Sequence, residues 1–188
     1  VKRRLFVLTG PPGSGKTTIC RKWIALAQQQ GLDCAGILCP ARFEGEHKIG
    51  IDLLDVRTGE RCPLAYVDDQ PADLRIGPFR FDRQAMDRAK GILDAACPCQ
   101  VLVVDEIGPL ELERGQGWVN ALDVLCAGRF DAAVAVVRPR LVEAFCGAMG
   151  DLPLSVLALP GALSDDRFSV PHGIDVETIT IHDRLLAI

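Results

Sequence analysis

Gly10-Pro11-Pro12-Gly13-Ser14-Gly15-Lys16-Thr17 stands between the apolar run Leu5-Phe6-Val7-Leu8 and a stretch with Ile19, Trp23, Ile24 and Ala27 at helical spacing. A buried strand, a glycine-rich turn and an amphipathic helix, in that order, are the context a phosphate-binding P-loop requires. The glycines open backbone conformations closed to other residues, so successive N–H groups can turn toward one anion. The helix that follows points its positive end at the same place. Lys16 is thereby placed for the β- and γ-phosphates of a nucleoside triphosphate, the Thr17 hydroxyl for Mg²⁺, and Thr18 for the α-phosphate. The competing reading is a chance glycine-rich turn, which explains neither the strand before it nor the helix after it.

Outward from the loop, strand and helix signals alternate. Arg4 to Thr9 reads as a strand and Lys16 to Gln30 as a helix that Gly31 stops. Cys34 to Cys39 is a second strand. Lys48 to Val56 and Arg61 to Val67 form an antiparallel hairpin around Arg57-Thr58-Gly59-Glu60. Asp68 to Pro78 reads as a surface loop and Phe79 to Phe81 as a short strand. Asp82 caps a helix that runs to about Ala96. Val101 to Val104 and Ala132 to Val137 are unbroken apolar runs, as fully buried parallel strands are. Helices are expected from Trp118 to Ala127 and from Arg140 to Met149. Leu154 to Leu157 is a further strand, and Val176 to Ile181 an edge strand. The alternation implies an α/β fold, a mainly parallel central sheet flanked by helices with an inserted antiparallel hairpin. With 188 residues and no linker, the chain reads as a single domain over 1–188.

Asp105 and Glu106 end the run Val101–Val104. An Asp at this point of a phosphate-loop fold holds Mg²⁺, and a Glu directly after it can polarise an attacking water. In-line attack on a γ-phosphoryl group needs a positioned nucleophile and charge stabilisation, and little else from the protein. The alternative is that Glu106 only caps the next loop. Arg138 follows the next buried strand, at the sheet end where open α/β folds bind ligands. It is placed either for the γ-phosphate or as an exposed arginine beside Pro139. Arg42 is a weaker candidate of the same kind. Trp23 belongs to the core by its spacing, and nothing selects among Phe43, Tyr66 and Phe79 as a base-stacking ring.

Composition narrows the partners. Apolar residues make up 48% and charged residues 24%, with a net charge of −4. That balance suits a globular chain and gives no support to broad nucleic-acid or anionic-membrane binding. The local excess of Lys2, Arg3, Arg4, Lys16, Arg21 and Lys22 suits a phosphate ligand or a solvated basic face equally. No apolar stretch approaches the ~20 residues that cross a bilayer, and no signal peptide is visible. Eight cysteines invite a zinc reading, but none forms a Cys-x-x-Cys pair, and His47, His172 and His182 do not cluster with them. Reduced thiols and a cytoplasmic location fit better.

Three blocks together resemble the THEP1-type nucleoside triphosphatases, called cancer-related nucleoside triphosphatases in animals. They are Leu8 to Thr18; Gly36-Ile37-Leu38 with Ile49 to Leu53, Gly59 and Pro63-Leu64-Ala65; and Val104-Asp105-Glu106-Ile107-Gly108-Pro109-Leu110-Glu111-Leu112. The resemblance implies a RecA-like domain of the additional-strand, catalytic-glutamate kind. It also implies slow, Mg²⁺-dependent hydrolysis of several nucleoside triphosphates to diphosphate and phosphate. The roles it assigns to Lys16, Thr17, Asp105 and Glu106 match those argued above. It further marks Glu111 as part of the site's surroundings, where the residues alone read as surface. Two segments depart from the family pattern. Leu157-Ala158-Leu159-Pro160-Gly161 replaces a Thr-x-x-Asn-Arg-type stretch, and Cys39-Pro40-Ala41-Arg42-Phe43 is less acidic than its usual counterpart.

Two rivals share the phosphate loop. A nucleotide or small-molecule kinase needs an arginine-rich lid, which Arg75, Arg80 and Arg83 can supply. A nucleotide-gated switch or adaptor uses hydrolysis only to reset itself. A dedicated GTPase lacks its Asn-Lys-x-Asp guanine signature here.

Overall fold

The computed structural model describes residues 3–71 and 73–179. The first half of the chain runs β1 (Arg4–Thr9), α1 (Lys16–Gln29), β2 (Cys34–Leu38), β3 (Ala41–Glu44), β4 (His47–Asp55), β5 (Arg61–Val67), β6 (Arg75–Ile76) and β7 (Phe79–Phe81). The second runs α2 (Arg83–Asp94), β8 (Val101–Ile107), α3 (Pro109–Leu112), α4 (Asn120–Ala127), β9 (Ala132–Val137), α5 (Val142–Met149), β10 (Leu154–Ala158) and β11 (Val176–Thr178).

The apolar runs are unbroken because both faces of the sheet are covered. Along β8, Leu102 and Val104 join a layer with Ala133, Ala135, Met86, Leu93, Leu125 and Phe145, the contributions of β9, α2, α4 and α5. Val101 and Val103 point the other way, toward Val134, Val136, Ile19, Cys20 and Trp23 of β9 and α1. Asp82 caps α2 as expected, accepting from Ala85 N at 2.8 Å.

The strand order is β11-β10-β1-β9-β8-β2-β4-β5-β7-β6, with β3 on β4. Every pair from β11 to β2 is parallel, and every pair beyond β2 is antiparallel. This is the mainly parallel α/β sheet that the alternation implies, in the RecA-like order. Its consequence for the site is that β9 stands between β1, which leads into the glycine-rich loop, and β8, which carries Asp105.

The structure differs from the sequence reading in the antiparallel part and in some boundaries. The expected hairpin is the centre of a five-strand extension of the same sheet. β3 pairs with β4 through a turn at Gly45, and β6 lies inside the segment expected to be loop. Both are short and half exposed, so no hydrophobic pattern announces them. Trp118 precedes α4 rather than opening it, and a 3-10 turn at Pro139–Leu141 leads into α5. α3 has four residues, too few to show a helical period. β11 covers Val176–Thr178 of the expected edge strand; Ile181, His182 and Lys2 lie outside the described residues. Among the described residues no helix is long and apolar enough to cross a membrane.

Arg57, in the turn between β4 and β5, ties this extension to the rest. Its guanidinium donates to Asp33 at 2.8 and 3.1 Å and to the carbonyls of Ala95, Ala96 and Pro98 at 3.0, 2.8 and 3.2 Å. The pair is over a third exposed, so water weakens the ionic part, but the carbonyls beyond the end of α2 lose their donor when it goes. Arg57→Ala is expected to lower stability by about 1–2 kcal/mol. Thermal or urea unfolding measures this, and a midpoint equal to wild type contradicts the clamp.

Candidate active site

The glycine-rich loop leaves β1 and enters α1 through two left-handed glycines, Gly13 at φ 77° and Gly15 at φ 91°. The first turn of α1 holds no acidic residue, so the positive end of the helix is uncompensated. Lys16 folds back over the loop, donating from Nζ to Gly10 O at 2.7 Å and Pro11 O at 2.8 Å. Burial lowers the Lys16 pKa, the carboxylates of Glu106 and Asp105 raise it, and Arg138 lowers it. These four charges therefore share one small region. Pro12 and Gly13 of the loop and Thr18 in the first turn of α1 are exposed.

Asp105 is 1% exposed. Its Oδ2 accepts from Thr17 Oγ1 at 2.9 Å and from Cys39 N at 3.0 Å, while Oδ1 has no hydrogen-bond partner. Burial and the Glu106 charge push its carboxyl up to about 6 against the pull of those donors and Lys16. An unpartnered buried carboxylate oxygen beside a threonine hydroxyl is an all-oxygen donor set of the kind hard divalent cations take. Among the described residues no group of three His, Cys, Asp or Glu is placed to hold a metal ion, and all eight cysteines are free thiols.

Glu106 has φ 67°, the left-handed region, and among the described residues it is the one non-glycine there. That conformation costs about 1–2 kcal/mol. Its cause is visible in the register. β8 pairs with β9 up to Val104↔Ala135 and resumes at Ile107↔Val137, so two residues of β8 lie between where β9 has one. Such a bulge turns a side chain away from the alternation of its strand. The carboxylate then meets Arg138, which donates to Oε1 from Nη2 at 2.7 Å and Nε at 3.1 Å. Both side chains are part open to solvent.

Lys16, Thr17, Asp105, Glu106 and Arg138 thus come together at the carboxyl ends of β1, β8 and β9. Arg42 does not join them: it pairs with Asp52 at 3.5 Å and lies over the Tyr66 ring at 5.1 Å. Tyr66 is also covered by Arg80, Phe79 packs under Lys48, and Phe43 is exposed. Trp23 is core. Two contributors had no local signal. The Cys39 amide reaches Asp105 only because β2 ends beside β8. Lys48 comes from the antiparallel extension, yet its ammonium feels both Glu106 and Arg138. Glu111, read from its residues as surface, is 6% exposed. Gly108-Pro109-Leu110-Glu111 does carry a signal for this: a glycine N-cap, proline at the first helical position and glutamate at the third.

Comparison with known proteins identifies the family. The NTPase family profile matches residues 5–146. Nucleoside-triphosphatase THEP1 of Ignicoccus hospitalis is 37% identical over 108 residues, 57% of this chain and 61% of that protein, so this match spans under two thirds of the relative's length. The THEP1 of Methanopyrus kandleri is 36% identical over 135 residues, covering 71% of this chain and 73% of that protein. The solution structure of a human cancer-related nucleoside triphosphatase superposes with a TM-score of 0.64 at 28% identity, covering 83% of this chain and 88% of that one. With a family profile over most of its length and relatives above 30% identity, the chain belongs to the THEP1-type nucleoside-triphosphatase family.

Proposed function

We propose that the chain is a Mg²⁺-dependent phosphohydrolase that converts nucleoside triphosphates to diphosphate and inorganic phosphate. The observation that carries this reading is Glu106: a strained, left-handed carboxylate next to the buried Asp105, on a bulge beside the phosphate loop. Backbone strain persists only where the surroundings enforce it, and it clusters where a side chain must be aimed.

Each residue has a task in this proposal. The loop from Gly10 through Pro11, Pro12, Gly13, Ser14 and Gly15 to Thr18 wraps the phosphates with its N–H groups. Lys16 exchanges the Gly10 and Pro11 carbonyls for β- and γ-phosphate oxygens. Thr17 Oγ1 and the Asp105 carboxylate would hold Mg²⁺, directly or through water; the ion would neutralise phosphate charge and align the triphosphate. Glu106 accepts the proton of a water positioned in line with the γ-phosphorus. Arg138, at the end of the strand between the other two, moves its guanidinium from Glu106 toward the phosphoryl oxygens, where negative charge spreads during transfer.

The kinase reading is weakened by where the lid arginines go. Arg75 donates to the carbonyls of Asp68 and Gln70, Arg80 binds the Asp68 carboxylate and Arg83 pairs with Asp73. All three hold their own segment together. The THEP1 relatives are nucleoside triphosphatases by name, which fits water as the acceptor. Eight free thiols fit a cytoplasmic location.

Incubated with ATP, GTP, CTP or UTP and Mg²⁺, the protein is expected to release phosphate stoichiometrically with diphosphate, and chelation by EDTA to stop it. Transfer to an added nucleotide or small-molecule acceptor in preference to water would overturn the reading. Lys16→Ala is expected to weaken binding of a fluorescent triphosphate analogue roughly 10- to 100-fold, the loss of a charge-assisted contact. Equal affinity in equilibrium titration contradicts the role given to Lys16.

A further inference from the structure

Glu111 performs none of the tasks above, yet it is buried, and its bonds are specific. Oε2 accepts the Gly108 N–H at 2.9 Å and Oε1 accepts the Trp118 N–H at 3.2 Å. One carboxylate therefore joins the two ends of the segment that leaves β8. Between them α3 makes a single turn, closed by Leu112 N to Gly108 O at 3.1 Å, and Gln116 N donates to Leu110 O at 2.8 Å. The far end is anchored by the Trp118 ring, 2% exposed in the core. Gly117 is shaped around the carboxylate: its φ is 72°, and a Cβ there would lie 1.9 Å from Glu111 Oε1.

The near end matters more. Gly108 is two residues beyond Glu106, and Ile107 between them is the residue at which β8 resumes its pairing with β9. On the β8 side of Glu106, Val104 is the last residue paired before the bulge, and Asp105 is held through its side chain by Thr17 and Cys39. On the other side the backbone is fixed by Ile107 pairing and by the Gly108 N–H bond. Strain of the Glu106 kind relaxes if either side is free to rotate. Burial pushes the Glu111 carboxyl up to about 7, with a smaller push from the Glu106 charge, while the Gly108 and Trp118 amides pull it down. A group held there against its desolvation is a costly way to close a loop that a neutral side chain could also close.

We propose that Glu111 is a positioning residue for hydrolysis: its clamp on Gly108 and Trp118 holds Glu106 in the left-handed conformation that aims its carboxylate at the attacking water. This rests on the reading of Glu106 as the base. Glu111 touches neither the phosphates nor the water, and it acts through Glu106 alone.

The test is a double-mutant cycle with nucleotide affinity as the control. Glu111→Gln keeps size and one acceptor oxygen but turns an NH₂ toward the second amide. Single-turnover phosphate release is expected to fall roughly 10- to 100-fold, as for a displaced catalytic group. Affinity for a non-hydrolysable triphosphate stays within about twofold, because the phosphate loop is untouched. In a Glu106→Gln background the same change is expected to cost nothing further. Gly117→Ala, which crowds Oε1, is expected to reproduce the turnover-only loss if Glu111→Gln does not fold. Wild-type turnover in a folded variant, an equal loss of affinity and rate, or a full multiplicative loss on top of Glu106→Gln would each overturn the proposal. If Glu106→Gln by itself turns over normally, the base assignment is what fails, and the cycle shows this separately from Glu111.

Discussion

The carboxylate of Asp105 is the contact on which the site depends. It is buried at the end of β8, and one oxygen holds both the Thr17 hydroxyl on α1 and the Cys39 amide at the end of β2. Thr17 and Cys39 lie 88 and 66 residues from Asp105 in sequence, and both meet it on that one oxygen. The other oxygen is left without a partner in a place where burial disfavours its charge. A buried anion in this state is a demand for a cation. Lys16 answers in part, and in the proposed function a divalent ion shared with the phosphates would answer in full. On that proposal structure and function are linked in the same group: the Thr17–Asp105 bond that docks α1 against the sheet would also prepare the metal position.

The insertion of β9 between β1 and β8 has a second effect. It separates the glycine-rich loop after β1 from Asp105 and Glu106 on β8 by the width of one strand, and it places Arg138 at the boundary. Arg138 binds Glu106 with two donors. A glutamate that is to accept a proton at neutral pH must be free of a tight cation at the moment of reaction. A γ-phosphate competing for Arg138 would supply that release and deliver the guanidinium to where charge develops. The bulge at Asp105-Glu106 makes this geometry reachable, since an unbroken strand would send consecutive side chains to opposite faces.

The parallel core and the phosphate loop were legible in the sequence because their signals are local. Val101 to Val104 and Ala132 to Val137 are buried on both sides and say so residue by residue, and Gly10 to Thr17 is read at fixed spacing. The family resemblance supplied the RecA-like class, which periodicity alone does not give; the strand order comes from the structure. What stayed hidden depends on contacts made at a distance. β3 and β6 exist because a neighbouring strand offers hydrogen bonds, not because Ala41 to Glu44 or Arg75-Ile76 alternate in polarity. Lys48, whose ammonium lies over the Phe79 ring, comes within electrostatic range of Glu106 and Arg138 only through the folding of the antiparallel extension. Glu111, which the resemblance marked and the Gly108–Glu111 capping pattern signals, still reads as surface by composition; the contact its local sequence does not show is the Trp118 amide seven residues away. Arg42 failed in the opposite sense: its position beside the site was readable, but its partners Asp52 and Tyr66 lie in the extension that claims it.

In the proposed function, binding and water activation are carried by different residues, with Glu106 responsible for the second alone. The most direct measurement is the affinity of Glu106→Gln for Mg²⁺-ATP set beside its rate of phosphate release in a single turnover. Affinity is expected within about twofold of wild type and hydrolysis slower by roughly 100-fold or more. Phosphate release at the wild-type rate from the fully bound variant would contradict that role for Glu106.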